Sequence, residues 1–200
     1  MNSRYPYSIM LASRSPRRQE LLGQIGVSYH LIDIEIDESV HINEPPIAYV
    51  DRMAYEKGLA GWSVYTNQKS HDDQWRPLLA ADTSVVLGEN ILGKPESECD
   101  ARDMLRLLSG KTHQVMTSVA LVDETGVATK TSITDVTFCD LRDVDIEAYL
   151  ECGEGKDKAG SYAIQGFGAM FIRSINGSYS GVVGLPLYET NLLLEKHFKG

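Results

Sequence analysis

Strand-like and helix-like segments interleave along the 200 residues without an internal repeat, which predicts a mixed α/β (α+β) fold. Two observations carry most of this expectation. Apolar runs at 9–12 and 78–87 read as buried strands, and two long β-rich segments lie near 112–123 and 127–138. Helix signals fall between and around them, and no linker divides the chain cleanly. The expectation is therefore one large domain over 1–200, or two tightly joined lobes. A chain of this size buries roughly 70% of its unfolded surface and needs no disulfides to do so.

Residues 9–12 form the first expected strand. Pro16 then opens a helix to about Gly23, with Leu21 and Leu22 facing inward. Over 31–37, Ile32, Ile34 and Ile36 alternate with Asp33, Glu35 and Asp37, the period of a half-buried strand. A helix follows Pro45-Pro46 and runs to about Ala60. Residues 62–77 are polar and read as a surface loop with some helix before it. The run 78–87 contains a single charge, and 97–108 is a helix closed by Gly110 at its C′ position. The Glu124-Thr125-Gly126 turn joins the two long β segments. A helix over 143–151, a strand over 169–175 and a helix over 186–198 complete the chain.

Nineteen lysines and arginines against 28 aspartates and glutamates give a net charge of -9. A field of that sign disfavours a nucleic-acid partner, while a small anion remains bindable wherever a few cations gather. Cys99, Cys139 and Cys152 are odd in number and lack C-x-x-C spacing, which suits reduced thiols in a cytoplasmic protein. No apolar stretch reaches membrane-spanning length, so no membrane association is expected.

Three places carry chemistry. In Ser13-Arg14-Ser15-Pro16-Arg17-Arg18, Ser15 suits an N-cap and Pro16 the first helical position. Arg17 and Arg18 then stand where the helix dipole favours acids, which makes sense if an anion binds there; the alternative is a solvated basic turn. Helical spacing puts Lys57 on one face with Val50 and Ala54, so its ammonium must snorkel to the edge or meet an anion. Asp82 is the charge inside 78–87, and a buried carboxylate needs a partner, a metal or a role as general base; a structural turn is the alternative. Lys94 in the Gly93-Lys94-Pro95 turn, Glu38 after the acidic segment, and Gln165 in a glycine-rich stretch are weaker candidates. Such a set suits a polyphosphate bound through a divalent cation.

Other motifs fail. Ser109-Gly110-Lys111-Thr112 lacks the earlier glycine of a P-loop, having Leu105 there. His71-Asp72 has no companion ligands, and neither a zinc site nor a nucleophile elbow is present.

Taken in order, Ser13-x-Ser15-Pro16-Arg17-Arg18, Glu56-Lys57, Ala81-Asp82-Thr83, Gly93-Lys94-Pro95, Ser109-Gly110-x-x-His113, Lys158 to Tyr162 with Ile164-Gln165-Gly166, and Asn176 to Tyr179 with Val183 to Pro186 resemble the Maf nucleotide pyrophosphatases. The match spans roughly residues 8 to 195. Extra residues before Ser8 and a polar insert near 66–77 depart from the family pattern. The resemblance implies an elongated mixed sheet flanked by helices, two lobes around a central cleft, and a homodimer. It also implies hydrolysis of a nucleoside triphosphate to monophosphate and pyrophosphate with a divalent cation, Mg2+ or Mn2+. By the same resemblance Asp82 is the general base and, with Glu38, holds the metal. Lys57 and Lys94 are catalytic, and Ser13, Ser15, Arg17, Arg18, Thr83 and Gln165 bind substrate. Arg17, Thr83 and Gln165 are the residues of the branch that cleaves dTTP and UTP, not of the sister branch acting on 7-methyl-GTP. The competing reading is a non-catalytic nucleotide-binding regulator of cell division, which has no need of Asp82 as a base.

Overall fold

The computed structural model describes residues 5–68 and 75–199. In chain order they form β1 (Ile9–Ala12), α1 (Pro16–Gln24), β2 (Tyr29–Leu31), α2 (Pro46–Gln68), β3 (Leu78–Leu87), β4 (Asn90–Leu92), α3 (Glu98–Leu108), β5 (Thr112–Asp123) and β6 (Gly126–Phe138). Then come α4 (Asp143–Cys152), two short 3-10 helices (Ala159–Ser161 and Gly166–Phe171), β7 (Ile172–Asn176), α5 (Tyr179–Val183) and α6 (Leu187–Lys199). The strands make a mixed sheet in the order β2-β1-β3-β5-β6-β7, with β4 paired to β3. β1 runs parallel to β2 and β3, whereas β4 and β7 are antiparallel to their partners.

The chain divides into two compact units. Unit 1 takes the residues up to Asp82, 117–132 and 184–200; unit 2 takes 83–116 and 133–183. Strands β3, β5 and β6 each contribute residues to both.

In unit 1, α2 lies against the sheet, and Met10, Ala12, Leu78, Ala80 and Val122 form a buried cluster with Ile32 and Tyr65. Close approach of the helix depends on two glycines. A Cβ on Gly58 would sit 2.8 Å from the Val122 Cγ2, and one on Gly61 would sit 2.9 Å from both the Ala12 Cβ and the Leu78 Cδ1. In unit 2, α3 and α4 cover a core built around Leu105, Leu108, Phe138, Ile146, Tyr149 and Phe171. His113 is buried there, its Nε2 2.7 Å from the Tyr162 hydroxyl, with Phe138 edge-on to the imidazole. Its Nδ1 has no hydrogen-bond partner among the described residues. Burial holds this imidazole down at about 4.

Several sequence expectations are corrected. The alternation over 31–37 is a real pattern of burial, with Ile32 buried and Asp33, Glu35 and Asp37 exposed, but β2 ends at Leu31. Its partner β1 stops at Ala12, and Ile32 N–H to Leu11 O, at 3.0 Å, ends the pairing. Beyond that point no strand remains to pair with. The helix after Pro46 continues through Gln68 instead of stopping near Ala60, so 62–68 are helical and not loop. Trp62 and Tyr65 explain the extension, since both pack on Trp75 in an aromatic group. The strand expected from Ala169 begins at Ile172, because glycine-rich 166–171 winds into a 3-10 helix. Residues 69–74, with the His71-Asp72 pair, and residues 1–4 lie outside the described residues.

Two stability outcomes follow from these cores. Gly58→Val should cost about 1–3 kcal/mol by overpacking against Val122, read as a lower denaturant midpoint. The His113 imidazole is depressed from 6.5 to about 4 in the folded state, so its contribution is complete above 6.5 and is lost as pH falls towards 4. The unfolding midpoint of the parent should decline across that window, and that of His113→Gln should decline less.

Candidate active site

β1 delivers the chain into the buried Ser13, whose Oγ accepts the Ser15 N–H at 3.2 Å. Ser15 occupies the N-cap position of α1, yet its side chain makes no capping bond and the first turn holds no acidic residue. Arg17 and Arg18 occupy that turn instead. The Arg18 Nε donates to the Gly184 carbonyl at 2.8 Å and its Nη1 to the Ser13 Oγ at 3.3 Å. Part of Arg18 stays at the surface while its guanidinium is desolvated, and this burial pushes it below its ordinary value. Asp82 and Glu38 act in the opposite direction, which places all three groups in one electrostatic neighbourhood. Arg14 points elsewhere and pairs with Asp33.

On α2, Val50 and Ala54 are fully buried, and Lys57 follows on their face. Its Nζ lies 2.6 Å from the Asp82 Oδ1 and 2.5 Å from the Glu38 Oε1. The Lys57 and Asp82 side chains are 14% and 13% exposed, and Glu38 is half-exposed. The carboxylate that the sequence left inside a strand is thus matched by the ammonium that the sequence left on an apolar face. Removing one member of such a pair strands the other without compensation.

Glu38 sits in a segment without ladder hydrogen bonds, and α2 holds it from both sides. The Tyr49 hydroxyl donates to the Glu38 carbonyl at 2.9 Å, and the Arg52 Nη2 donates to the Ser39 carbonyl at 2.9 Å. Arg52 is in turn gripped by Glu44 through two bonds of 2.6 and 2.7 Å. Burial, followed by the charges of Asp82 and Glu38, pushes the Tyr49 hydroxyl up to about 12. Sequence reasoning missed Tyr49, Arg52 and Glu44. The helical spacing of 49, 52 and 56 shows that the first two share a face, but nothing local signals that Glu44 closes the fork.

Among the described residues no group of three or more histidine, cysteine or acidic side chains is arranged to hold a metal. The donor set at Glu38 and Asp82 is two carboxylates converging on one cationic group. That suits Mg2+ or Mn2+, which bind through one or two carboxylates and complete their shell with water and substrate phosphate. It does not suit a metal caged wholly by protein.

The remaining predicted residues belong to unit 2. Thr83 follows Asp82 directly on β3 and is half-buried. Lys94 is exposed on the turn after β4, where the Gly93 carbonyl accepts the Gly160 N–H at 3.0 Å. Gln165 is half-buried at the N-cap position of the second 3-10 helix. A cavity of about 250 Å³ in this unit is lined by Pro95, Ala101, Tyr149, Leu150 and Ser161 among others, and by none of the predicted site residues.

The Arg52 fork holds the Glu44 carboxyl at about 2, well below its ordinary 4.5. A depressed carboxyl contributes stability above its unfolded value, and that contribution is lost as pH falls through the folded value. Between pH 4.5 and about 2 the parent's unfolding midpoint should therefore fall more steeply than that of Arg52→Leu.

A model of the Maf-like protein family matches residues 8–197. The dTTP/UTP pyrophosphatase of Pseudoalteromonas atlantica is 50% identical over 188 residues, covering 94% of this chain and 96% of that protein. The dTTP/UTP pyrophosphatase of Chromobacterium violaceum is 52% identical over 186 residues, covering 93% and 92%. That of Escherichia coli O157:H7 is 50% identical over 187 residues, covering 94% and 91%. A solved structure of the Staphylococcus aureus Ham1 protein is similar with a TM-score of 0.48 and 11% identity, covering 97% of this chain and 99% of that one.

Proposed function

The chain belongs to the Maf family, and from that premise we propose that it hydrolyses dTTP and UTP to the nucleoside monophosphate and pyrophosphate. The observation that carries the chemistry is the Lys57 ammonium held by the carboxylates of Glu38 and Asp82. Two carboxylates converge on the one ammonium, with the Arg18 guanidinium in the same electrostatic neighbourhood. Glu38 and Asp82 are the residues that would hold a divalent cation, which when bound supplies neutralising charge to the triphosphate.

The protein's own groups do the rest. The first turn of α1 and the guanidinium of Arg18 bind phosphate oxygens, as amides and forked donors do at helix N-termini. Arg18 is already oriented by Ser13 and Gly184, so little side-chain freedom is lost on binding. Asp82 accepts the proton of the water attacking the α-phosphorus. Lys57 and Lys94 stabilise charge on the transferred group and the leaving pyrophosphate, which is where phosphoryl transfer gains most from a protein. Arg17, Thr83 and Gln165 contact the nucleotide. The Gln165 amide both donates and accepts, as the imide edge of uracil or thymine requires.

A cytoplasmic location and a homodimer belong to the same proposal. The three cysteines are free thiols, and among the described residues no helix is long and apolar enough to cross a membrane.

The test is pyrophosphate release from a panel of nucleoside triphosphates with magnesium or manganese. Release from dTTP and UTP should far exceed release from 7-methyl-GTP. Asp82→Asn should bind nucleotide and lose turnover by about 10²–10⁴-fold, the usual range for a general base. Parent-like turnover by that variant would remove Asp82 from the base role, and equal release from 7-methyl-GTP would reject the pyrimidine assignment.

A further inference from the structure

The second 3-10 helix has an unusual N-terminus. Gln165 occupies its N-cap position with φ -86° and ψ 152°, but its side chain makes no capping bond. A helix N-terminus leaves its first amides without internal partners, and a side-chain oxygen at the N-cap ordinarily accepts from the second or third of them. Those two amides here belong to Phe167 and Gly168. Both donate to Glu154, a residue eleven positions before Gln165, at 3.1 and 2.9 Å. Each carboxylate oxygen takes one amide.

The surroundings are built to keep that carboxylate in place. Gly166 has φ +77°, a conformation that other residues rarely adopt, and a Cβ there would displace the end of the Glu154 side chain. Tyr149 fixes the approach to the helix, since its hydroxyl accepts the Ala163 N–H at 3.2 Å. A Cβ on Gly168 would collide with the Ala163 carbonyl, so the 163–168 segment closes tightly on itself. On the upstream side Tyr162 is tied to the buried His113.

We propose that Glu154 is a positioning residue for base recognition: it caps the 166–171 helix in place of Gln165 and thereby leaves the Gln165 amide available to the pyrimidine. This rests on the reading of the chain as a dTTP/UTP pyrophosphatase in which Gln165 contacts the base. Without Glu154 the freed amides of Phe167 and Gly168 are left to the N-cap side chain of Gln165, the ordinary acceptor for them. The amide that should read the base is then turned back onto its own backbone.

The readout is a selectivity ratio, because loss of a negative charge near an anionic substrate alters every triphosphate alike and cancels in a ratio. The kcat/KM for UTP divided by that for CTP should fall about tenfold in Glu154→Ala, a change worth one hydrogen bond to the base. The kcat for UTP should stay within about threefold of the parent. Glu154→Gln keeps the shape and one acceptor and should fall between the two. Gln165→Ala should lower the ratio to the same extent, and Glu154→Ala/Gln165→Ala should lower it no further. An unchanged ratio in Glu154→Ala beside a reduced one in Gln165→Ala would overturn the positioning role alone, as would additive losses in the double variant. An unchanged ratio in Gln165→Ala would overturn both the base contact and the positioning role. A parent that releases no pyrophosphate from UTP would reject the pyrophosphatase reading first, and this inference with it.

Discussion

One ammonium shared by two carboxylates sets the terms for most of unit 1. Asp82 lies inside a strand whose preceding residues Ala80 and Ala81 are fully buried, and its mostly buried charge is matched by a cation. That cation arrives on a helix, and a lysine reaches a strand carboxylate at 2.6 Å only if the helix rides close to the sheet. The bare backbone at Gly58 and Gly61 permits this approach, one residue and four residues beyond Lys57. The second carboxylate is harder to supply, because Glu38 comes from a segment with no strand to pair with. Tyr49 and Arg52 bind the carbonyls of Glu38 and Ser39 from α2, and Glu44 fixes Arg52. Packing, backbone satisfaction and charge placement are thus one problem with one solution, centred on Lys57.

The parts of this arrangement visible in the sequence are those in which a local rule is broken. Asp82 stood out as a charge in an apolar run, Lys57 as a charge on an apolar helix face, and Arg17 and Arg18 as cations at the wrong end of a helix. Each exception was detectable alone because strand and helix periodicities define what the neighbours should be. The residues that were missed break no rule. Tyr49, Arg52 and Glu44 are ordinary polar residues near a helix start, and Glu154 is an ordinary acid near a helix end. Their roles come from where the chain returns in space, which periodicity does not encode. The fold misreadings have the same origin. Alternation at 31–37 correctly foretold which side chains are more exposed, Asp33, Glu35 and Asp37, yet a strand also needs a partner, and β1 is only four residues long. The polar letters after Ala60 concealed Trp62 and Tyr65, whose ring contacts with Trp75 carry α2 on to Gln68.

Three helix N-termini of this chain are completed in different ways. At α3 the rules hold: Ser97 accepts the Asp100 N–H at 3.1 Å, and Glu98 and Asp100 place acid in the first turn. The helix end is thus capped and charge-neutralised by its own neighbours, without a ligand. At α1 the N-cap serine makes no capping bond and the first turn carries arginines, so the positive end of the helix is reinforced where it is normally neutralised. At the 166–171 helix the N-cap glutamine is likewise silent, but Glu154 satisfies the amides from a distance. The N-termini of α1 and of the 166–171 helix differ in a way that fits what each is proposed to meet. A phosphate is itself an anion and complements the charge of the helix end it binds. A neutral pyrimidine does not, so the segment carrying Gln165 must be satisfied internally before its side chain is free to recognise anything. On this argument an acid set far from a helix in sequence, yet bonded to its first amides, marks a cap residue reserved for another task.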